Sequence, residues 1–282
     1  MRQMIGDLAS AGVADPAVDA RILLCAATEI DHTELIRNPD EPLDGAACDR
    51  LSLMLARRVR REPISRILGR RGFWSLDLIV TPDVLDPRPE SETLIDAALE
   101  HFADRQLDSL KILDLGTGSG ALVCALLDVF PRAFGVAIDV SPQACVVARR
   151  NLTQCGFKGR FSIVEGDWSS LPTEAFDLIV SNPPYIKSGE IAGLDPEVCN
   201  FDPLIALDGG VDGLDAYRQI APVITKCMPP SGVAVLEVGA DQGNLVANVF
   251  ATCALECLGI RRDYAGRDRA VLIVPESQNQ AY

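Results

Sequence analysis

The chain has 282 residues, enough for one large domain with a smaller one beside it, and 48% hydrophobic against 23% charged residues is the balance of a globular protein with a buried core. The formal charge of −14 lies wholly beyond Gly72, because residues 1–72 hold 11 Arg against 11 Asp plus Glu; an acidic body opposes phosphate backbones, so stable nucleic-acid binding is not expected. Nine cysteines without a Cys-x-x-Cys pair read as free thiols packed in the core, and neither Met1–Asp7 nor Ala121–Phe130 has the apolar length of a signal peptide core or a bilayer span, so a cytoplasmic protein without membrane contact is expected.

Asp15-Pro16 sets a capping residue before a proline at the first helical position, and Val18, Ile22, Leu23 and Ala26 follow at helical spacing. A second helix is expected from about Asp49 to Arg61, stopped by Pro63. Arg57, Arg58, Arg60 and Arg61 near its C-terminus read as a solvated face matched to the helix dipole. From Gly72 to Leu85 the mostly alternating Phe73, Trp74, Leu76, Leu78, Ile79 and Val80 predict a hairpin, after which Pro82, Pro87 and Pro89 mark a linker. Ser91 is placed to cap a helix carrying Leu94, Ile95, Ala98 and Phe102. Three segments result: a helical domain over 1–71, a hairpin linker over 72–88, and a larger domain over 89–282.

In the third segment, strand patterns recur at Ile112–Leu115, Ala133–Ile138, Phe161–Val164, Phe176–Val180, Val233–Val238, weakly near Leu258, and at Ala270–Val274. Helical patterns at Leu122–Val129, Pro142–Cys155, Asp215–Cys227 and Asn244–Thr252 separate several of them. This alternation predicts a doubly wound, mostly parallel seven-stranded α/β sheet of Rossmann-like type. The longest irregular stretch, Ile186–Leu214, has the length of a lid or binding loop.

Asp114-Leu-Gly116-Thr117-Gly118-Ser119-Gly120 falls between a predicted strand and helix, where glycines let the backbone turn and approach a ligand. Gly116-x-Gly118-x-x-Ala121 also meets a loose dinucleotide fingerprint, with Asp139 at the spacing for a ribose contact, so a nicotinamide-dependent oxidoreductase competes on these residues alone. Asp114, two residues before the first glycine, and the third glycine Gly120 favour a cofactor that lacks pyrophosphate and has a cationic amino-acid end. S-adenosylmethionine fits. Asp139 would then hold the ribose hydroxyls, Asp167 would accept from the adenine amino group, and Trp168 would pack on the ring, ordinary loop packing being the other reading of that tryptophan.

Asn182-Pro183-Pro184-Tyr185 follows the fourth strand pattern, where an open α/β sheet binds ligands. Two prolines stiffen the loop and supply no N–H. An amide oxygen on Asn182 and the Pro183 carbonyl could accept both hydrogens of a planar NH2 group, with Tyr185 stacked behind it. An amide or an exocyclic amine is thereby selected. His32 and His101, the two histidines, lie away from these motifs, so no histidine base is expected, and no metal is called for.

The chain resembles the PrmC/HemK family of class I methyltransferases, which methylate the glutamine of the Gly-Gly-Gln motif in release factors. Besides the two motifs, the resemblance rests on Gly72-Phe-Trp-Ser-Leu76, Val80-Thr-Pro82, Arg88-Pro89 with Glu92, Phe201-Asp-Pro203, Ala206-Leu-Asp-Gly-Gly210 and Asp212-Gly-Leu-Asp-Ala-Tyr217. It departs from the family at Glu90-Ser91, Asp202 and Arg66. The resemblance implies transfer of a methyl to the glutamine N5, with S-adenosyl-L-homocysteine as product, and class 1 release factors as protein partners docked by residues 1–71. It places Asn182, Pro183 and Tyr185 in catalysis and Pro184 and Arg88 at the substrate. A monomer is expected. The alternative is an amino methyltransferase acting on adenine or cytosine, which the acidic body disfavours.

Overall fold

The computed structural model describes residues 1–38, 41–171 and 174–276, so positions 277–282 of the third segment lie outside the described residues. Two compact units form, one from Met1–Arg70 with Leu194–Phe201, the other from Arg71–Gly193 with Asp202–Tyr282.

The first unit comprises α1 (Arg2–Ser10), α2 (Pro16–Thr28), α3 (His32–Arg37), α4 (Gly45–Val59) and α5 (Ile64–Leu68). Met4, Leu8, Val13, Ala20, Leu23 and Ile67 are its buried centre. α4 starts before the predicted Asp49 because Asp44 caps it, its Oδ1 accepting from the Ala47 N–H at 2.6 Å. Asp15 precedes α2 without a side-chain capping bond. The arginines at the end of α4 are a solvated face only in part: Arg60 is exposed, but the others are paired. Arg58, with a side chain only 8% exposed, pairs with Asp19 at 2.7 Å and Glu197 at 2.9 Å, and Arg61 pairs with Glu197 at 2.5 Å. Arg57 pairs with Glu62. Glu197 lies in a one-turn helix, Pro196–Cys199, of the returning segment. Arg58 and Arg61 therefore face carboxylates that are distant in sequence, which helical spacing alone does not reveal.

The second unit opens on the predicted hairpin, paired strands β1 (Arg70–Phe73) and β2 (Leu76–Ile79). Trp74 turns it with a φ of 54°, and its N–H donates to the Glu92 carboxylate at 2.7 Å. Asn151 holds the far end, accepting from the Ile79 N–H at 2.8 Å and donating to the Ile79 carbonyl at 3.0 Å.

The large sheet contains β3 (Lys111–Leu115), β4 (Phe134–Asp139), β5 (Phe161–Glu165), β6 (Leu178–Ser181), β7 (Val233–Glu237), β8 (Leu255–Arg262) and β9 (Asp268–Pro275), in the order β5-β4-β3-β6-β7-β9-β8. The first five run parallel, and β9 is antiparallel to both its neighbours. The weak pattern near Leu258 becomes an eight-residue edge strand, because pairing with β9 supplies what its mostly exposed side chains do not. Alternate residues serve opposite faces: Ile112, Leu178 and Val233 join one core, and Leu113, Ile179 and Ala234 the other. α6 (Glu92–His101), α7 (Ala121–Val129) and, through Leu152, α8 (Pro142–Gln154) cover the first face; α9 is the one-turn helix Pro196–Cys199, and α10 (Asp215–Cys227) and α11 (Gly243–Ala251) cover the second. β6 and β7, covered on both faces, are buried at every position, as parallel strands between helical layers must be. Strand order reverses between β3 and β6. That crevice is where ligands bind in open α/β sheets. All nine cysteines are free; Cys124, Cys145 and Cys227 are buried, whereas Cys48 and Cys257 are exposed rather than in the core.

Candidate active site

At the carboxyl ends of β3 to β6 lies a cavity of about 520 Å³, a size suited to a small-molecule ligand. Its lining brings together eleven of the sequence-predicted residues: Gly116, Thr117, Gly118 and Ser119 after β3, Asp139 ending β4, Asp167 and Trp168 after β5, Asn182, Pro183 and Pro184 after β6, and Arg88. Asp114, Gly120 and Tyr185 are not among the lining residues.

The glycine loop forms because Gly116, Gly118 and Gly120 take φ values of 74°, 54° and 80°, a region that costs side-chain-bearing residues energy. It is tied to β4 by the Gly116 and Thr117 N–H groups donating to the Ile138 carbonyl, and by the Gly118 N–H donating to Asp139 at 2.8 Å. Asp114 stands behind the loop, 1% exposed, its Oδ2 accepting from the Thr117 hydroxyl at 2.6 Å. Burial pushes its carboxyl up to about 7, against the opposing pull of the Thr117 hydrogen bond. Its Oδ1 is buried without a hydrogen-bond partner among the described residues. An unpartnered acidic oxygen beneath a glycine loop fits a ligand with a cationic end, and the Asp139 carboxylate, which lines the cavity and accepts one N–H at each oxygen, has lone pairs left for hydroxyls.

Across the cavity, the Asn182 Nδ2 donates to Ser91 Oγ at 3.2 Å. Among the described residues, nothing donates to Asn182 Oδ1 or to the Pro183 carbonyl, so both remain open acceptors on residues that line the cavity. Tyr185 packs into the second core, its hydroxyl donating to Glu237 at 3.1 Å, and its carbonyl accepts from Gln242 at 2.9 Å. Burial, with the nearby Glu237 carboxylate adding to it, holds that phenol well above its usual range, so it stays neutral. The loop 207–213 is pressed against the tetrapeptide: a Cβ at Gly209 would lie 2.8 Å from the Pro184 carbonyl oxygen and 2.8 Å from Tyr185 Cα. Arg88 is committed to Asp202 at 2.5 Å.

Two residues of this site escape sequence reasoning. Ser91 precedes α6 but makes no capping bond; its hydroxyl donates instead to Glu237 at 2.5 Å. Glu237 was visible as an acid closing the otherwise apolar β7, though not as a neighbour of Ser91, 146 positions away.

Two family models match: a PrmC N-terminal domain over residues 1–69 and a methyltransferase small domain over residues 91–194. The chain is 41% identical to a release factor glutamine methyltransferase of Caulobacter vibrioides, over 94% of this chain and 91% of the relative. It is 44% identical to one of Rhodospirillum rubrum, over 93% of this chain and 80% of the relative. A methyltransferase from Pyrococcus furiosus shares the fold with a TM-score of 0.52 at 18% identity, the alignment covering 80% of this chain and 98% of that one.

Proposed function

The chain belongs to the release factor glutamine methyltransferase family, and from that premise we infer that it transfers a methyl group to the side-chain amide nitrogen of a release-factor glutamine, in its Gly-Gly-Gln motif. The observation that carries this reading is the pair of open acceptors, Asn182 Oδ1 and the Pro183 carbonyl, on the cavity that the glycine loop also lines. S-adenosylmethionine is the methyl donor of this reading; it supplies an electrophilic methyl on a sulfonium and leaves as S-adenosyl-L-homocysteine. The backbone of residues 116–119 and the Asp139 carboxylate would hold it, with Asp167 and Trp168 at its base and Asp114 toward its cationic end.

The rest falls to the chain's own groups. An amide nitrogen is a poor nucleophile because its lone pair is delocalised, so positioning must supply much of the rate, and holding reactants in attack geometry is worth about 7–11 kcal/mol. Asn182 and Pro183 accept the two N–H groups of the glutamine and fix the plane of its amide. Pro184 stiffens the loop, and the buried Tyr185 backs it. The nitrogen loses one proton to water as its new bond to carbon forms. Arg88 keeps the cavity wall in place through Asp202. The helical first unit docks the class 1 release factor.

Among the described residues no helix is long and apolar enough to cross a membrane. We place the enzyme in the cytoplasm as a monomer, where its substrate is made. Mass spectrometry after incubation with S-adenosylmethionine and a release factor should show one added methyl on the motif's glutamine, and none when that glutamine is changed to glutamate. A mass increase that persists in the glutamate variant, or label found on nucleic acid with the release factor unmodified, would overturn the assignment. The second result would favour the adenine or cytosine amine.

A further inference from the structure

We propose that Ser91 and Glu237 are positioning residues that set which end of the Asn182 carboxamide faces the substrate, and that Glu237 holds Tyr185 in place as well. This rests on the reading that Asn182 Oδ1 accepts from the substrate's NH2 group.

Glu237 is 1% exposed at the end of β7, and a carboxylate so placed needs partners to offset lost hydration. Its partners come from four directions. The Ser91 hydroxyl donates to one oxygen at 2.5 Å, the Tyr185 hydroxyl to the other at 3.1 Å, and Arg269 of β9 approaches the latter at 3.9 Å. Tyr217 of α10 donates to the main-chain oxygen of Glu237 at 2.7 Å. Burial pushes the Glu237 carboxyl up, and the Glu90 charge adds to that, while the hydrogen bonds from Ser91 and Tyr185 and the Arg269 charge favour the carboxylate.

A serine hydroxyl has a single hydrogen. With it donated to Glu237, the Ser91 oxygen can act toward Asn182 only as an acceptor. The Asn182 atom 3.2 Å away must therefore be the NH2 group, as the geometry has it, and Oδ1 is the end left for the cavity. Were the hydroxyl free of Glu237, it could donate to Oδ1 and turn the amide. Asn182 would then present hydrogens to a substrate that itself presents hydrogens. A carboxylate three hydrogen bonds removed from the reacting nitrogen thus decides the polarity of the clamp. Because it also takes the Tyr185 hydroxyl, both ends of the tetrapeptide are fixed by the same group.

The test is steady-state methylation of a release factor by Ser91→Ala and Ser91→Thr, with cofactor calorimetry giving the competent fraction of each preparation. Misplacing a group by about an ångström costs about a hundredfold in rate. For Ser91→Ala we expect kcat to fall about ten- to hundredfold per bound cofactor, with the cofactor Kd and release-factor KM unchanged, and for Ser91→Thr to restore turnover. Ser91→Cys, close in volume with a far weaker donor, carries the same expectation should Ser91→Ala not fold. Equal kcat in Ser91→Ala and wild type would overturn the relay alone. So would a loss confined to Kd or KM, or one that threonine does not restore. A wild type that leaves the release factor unmethylated would instead overturn the glutamine reading beneath it.

Discussion

Asp139 and Asn182 line one cavity but belong to different halves of it, and their substitution should separate binding from chemistry. Asp139 ends β4 with its carboxylate bound to the Gly118 and Ser141 N–H groups, so it both shapes the glycine loop and lines the cavity. Hydrogen bonds to charged groups are worth about 1.5–3 kcal/mol, so Asp139→Ala should weaken S-adenosylmethionine binding by one to two orders of magnitude in calorimetry. Unchanged affinity would remove Asp139 from the site. Asn182→Ala should behave in the opposite way. Deleting one preorganised polar contact in a catalytic site costs about two to three orders of magnitude in turnover, with cofactor affinity left near wild type. A parallel fall of both quantities would show that Asn182 supports the cavity rather than the glutamine.

At the level of elements, the segment Leu194–Phe201 is the feature that chain order does not announce. The chain leaves the second unit after Gly193, lays a single helical turn against the first, and returns at Asp202. Glu197 anchors it. Burial opposes ionisation of that carboxyl, but hydrogen bonds from Arg61 and Arg58 outweigh it and hold the group below the usual carboxylate range. A depressed folded value means that the contribution to stability is complete above the unfolded value, about 4.3 for glutamate, and is lost as pH falls through the lower folded value. Glu197→Gln should accordingly be less stable than wild type at pH 7 in urea unfolding, with the difference shrinking toward pH 3. A gap that stays constant with pH would mean that the pairing is structurally incidental.

For the whole molecule, the division of labour follows the division of charge. Residues 1–72 are balanced and the remainder carries the full −14, which suits a protein substrate and repels a polyanionic strand. Every residue lining the cavity belongs to the second unit, which has two hydrophobic cores of its own. A chain beginning at Arg71 should therefore still bind S-adenosylmethionine while methylating an intact release factor poorly. Because Leu194–Phe201 would lose the helices it packs with, activity on a short glutamine-bearing peptide should fall too, though by less. Full activity on the intact protein would reject a docking role for the helical unit, and lost cofactor affinity would show that the second unit does not stand without it.

Much of this was legible in the chain. Periodicity marked β3, β4, β6 and β7 and the helices beside them, because strands buried on both faces must be largely apolar and helices covering them must be apolar on one side. The glycine loop and the Asn182–Tyr185 tetrapeptide announced themselves because each needs particular backbone freedom or stiffness, a property of residue type. What tertiary structure alone decided were the contacts of residues whose types permit several partners. Ser91 has the chemistry of a helix cap and serves a buried carboxylate instead; Arg58 and Arg61 have the pattern of a solvated helix end and clamp Glu197. Tyr185 sits in the recognised motif yet packs behind the cavity rather than lining it. A hydroxyl, a guanidinium or a phenol satisfies its hydrogen bonds with whatever the fold brings within reach, and at separations of 146 or 136 positions that is set by how strands are ordered and segments returned, not by neighbours in sequence.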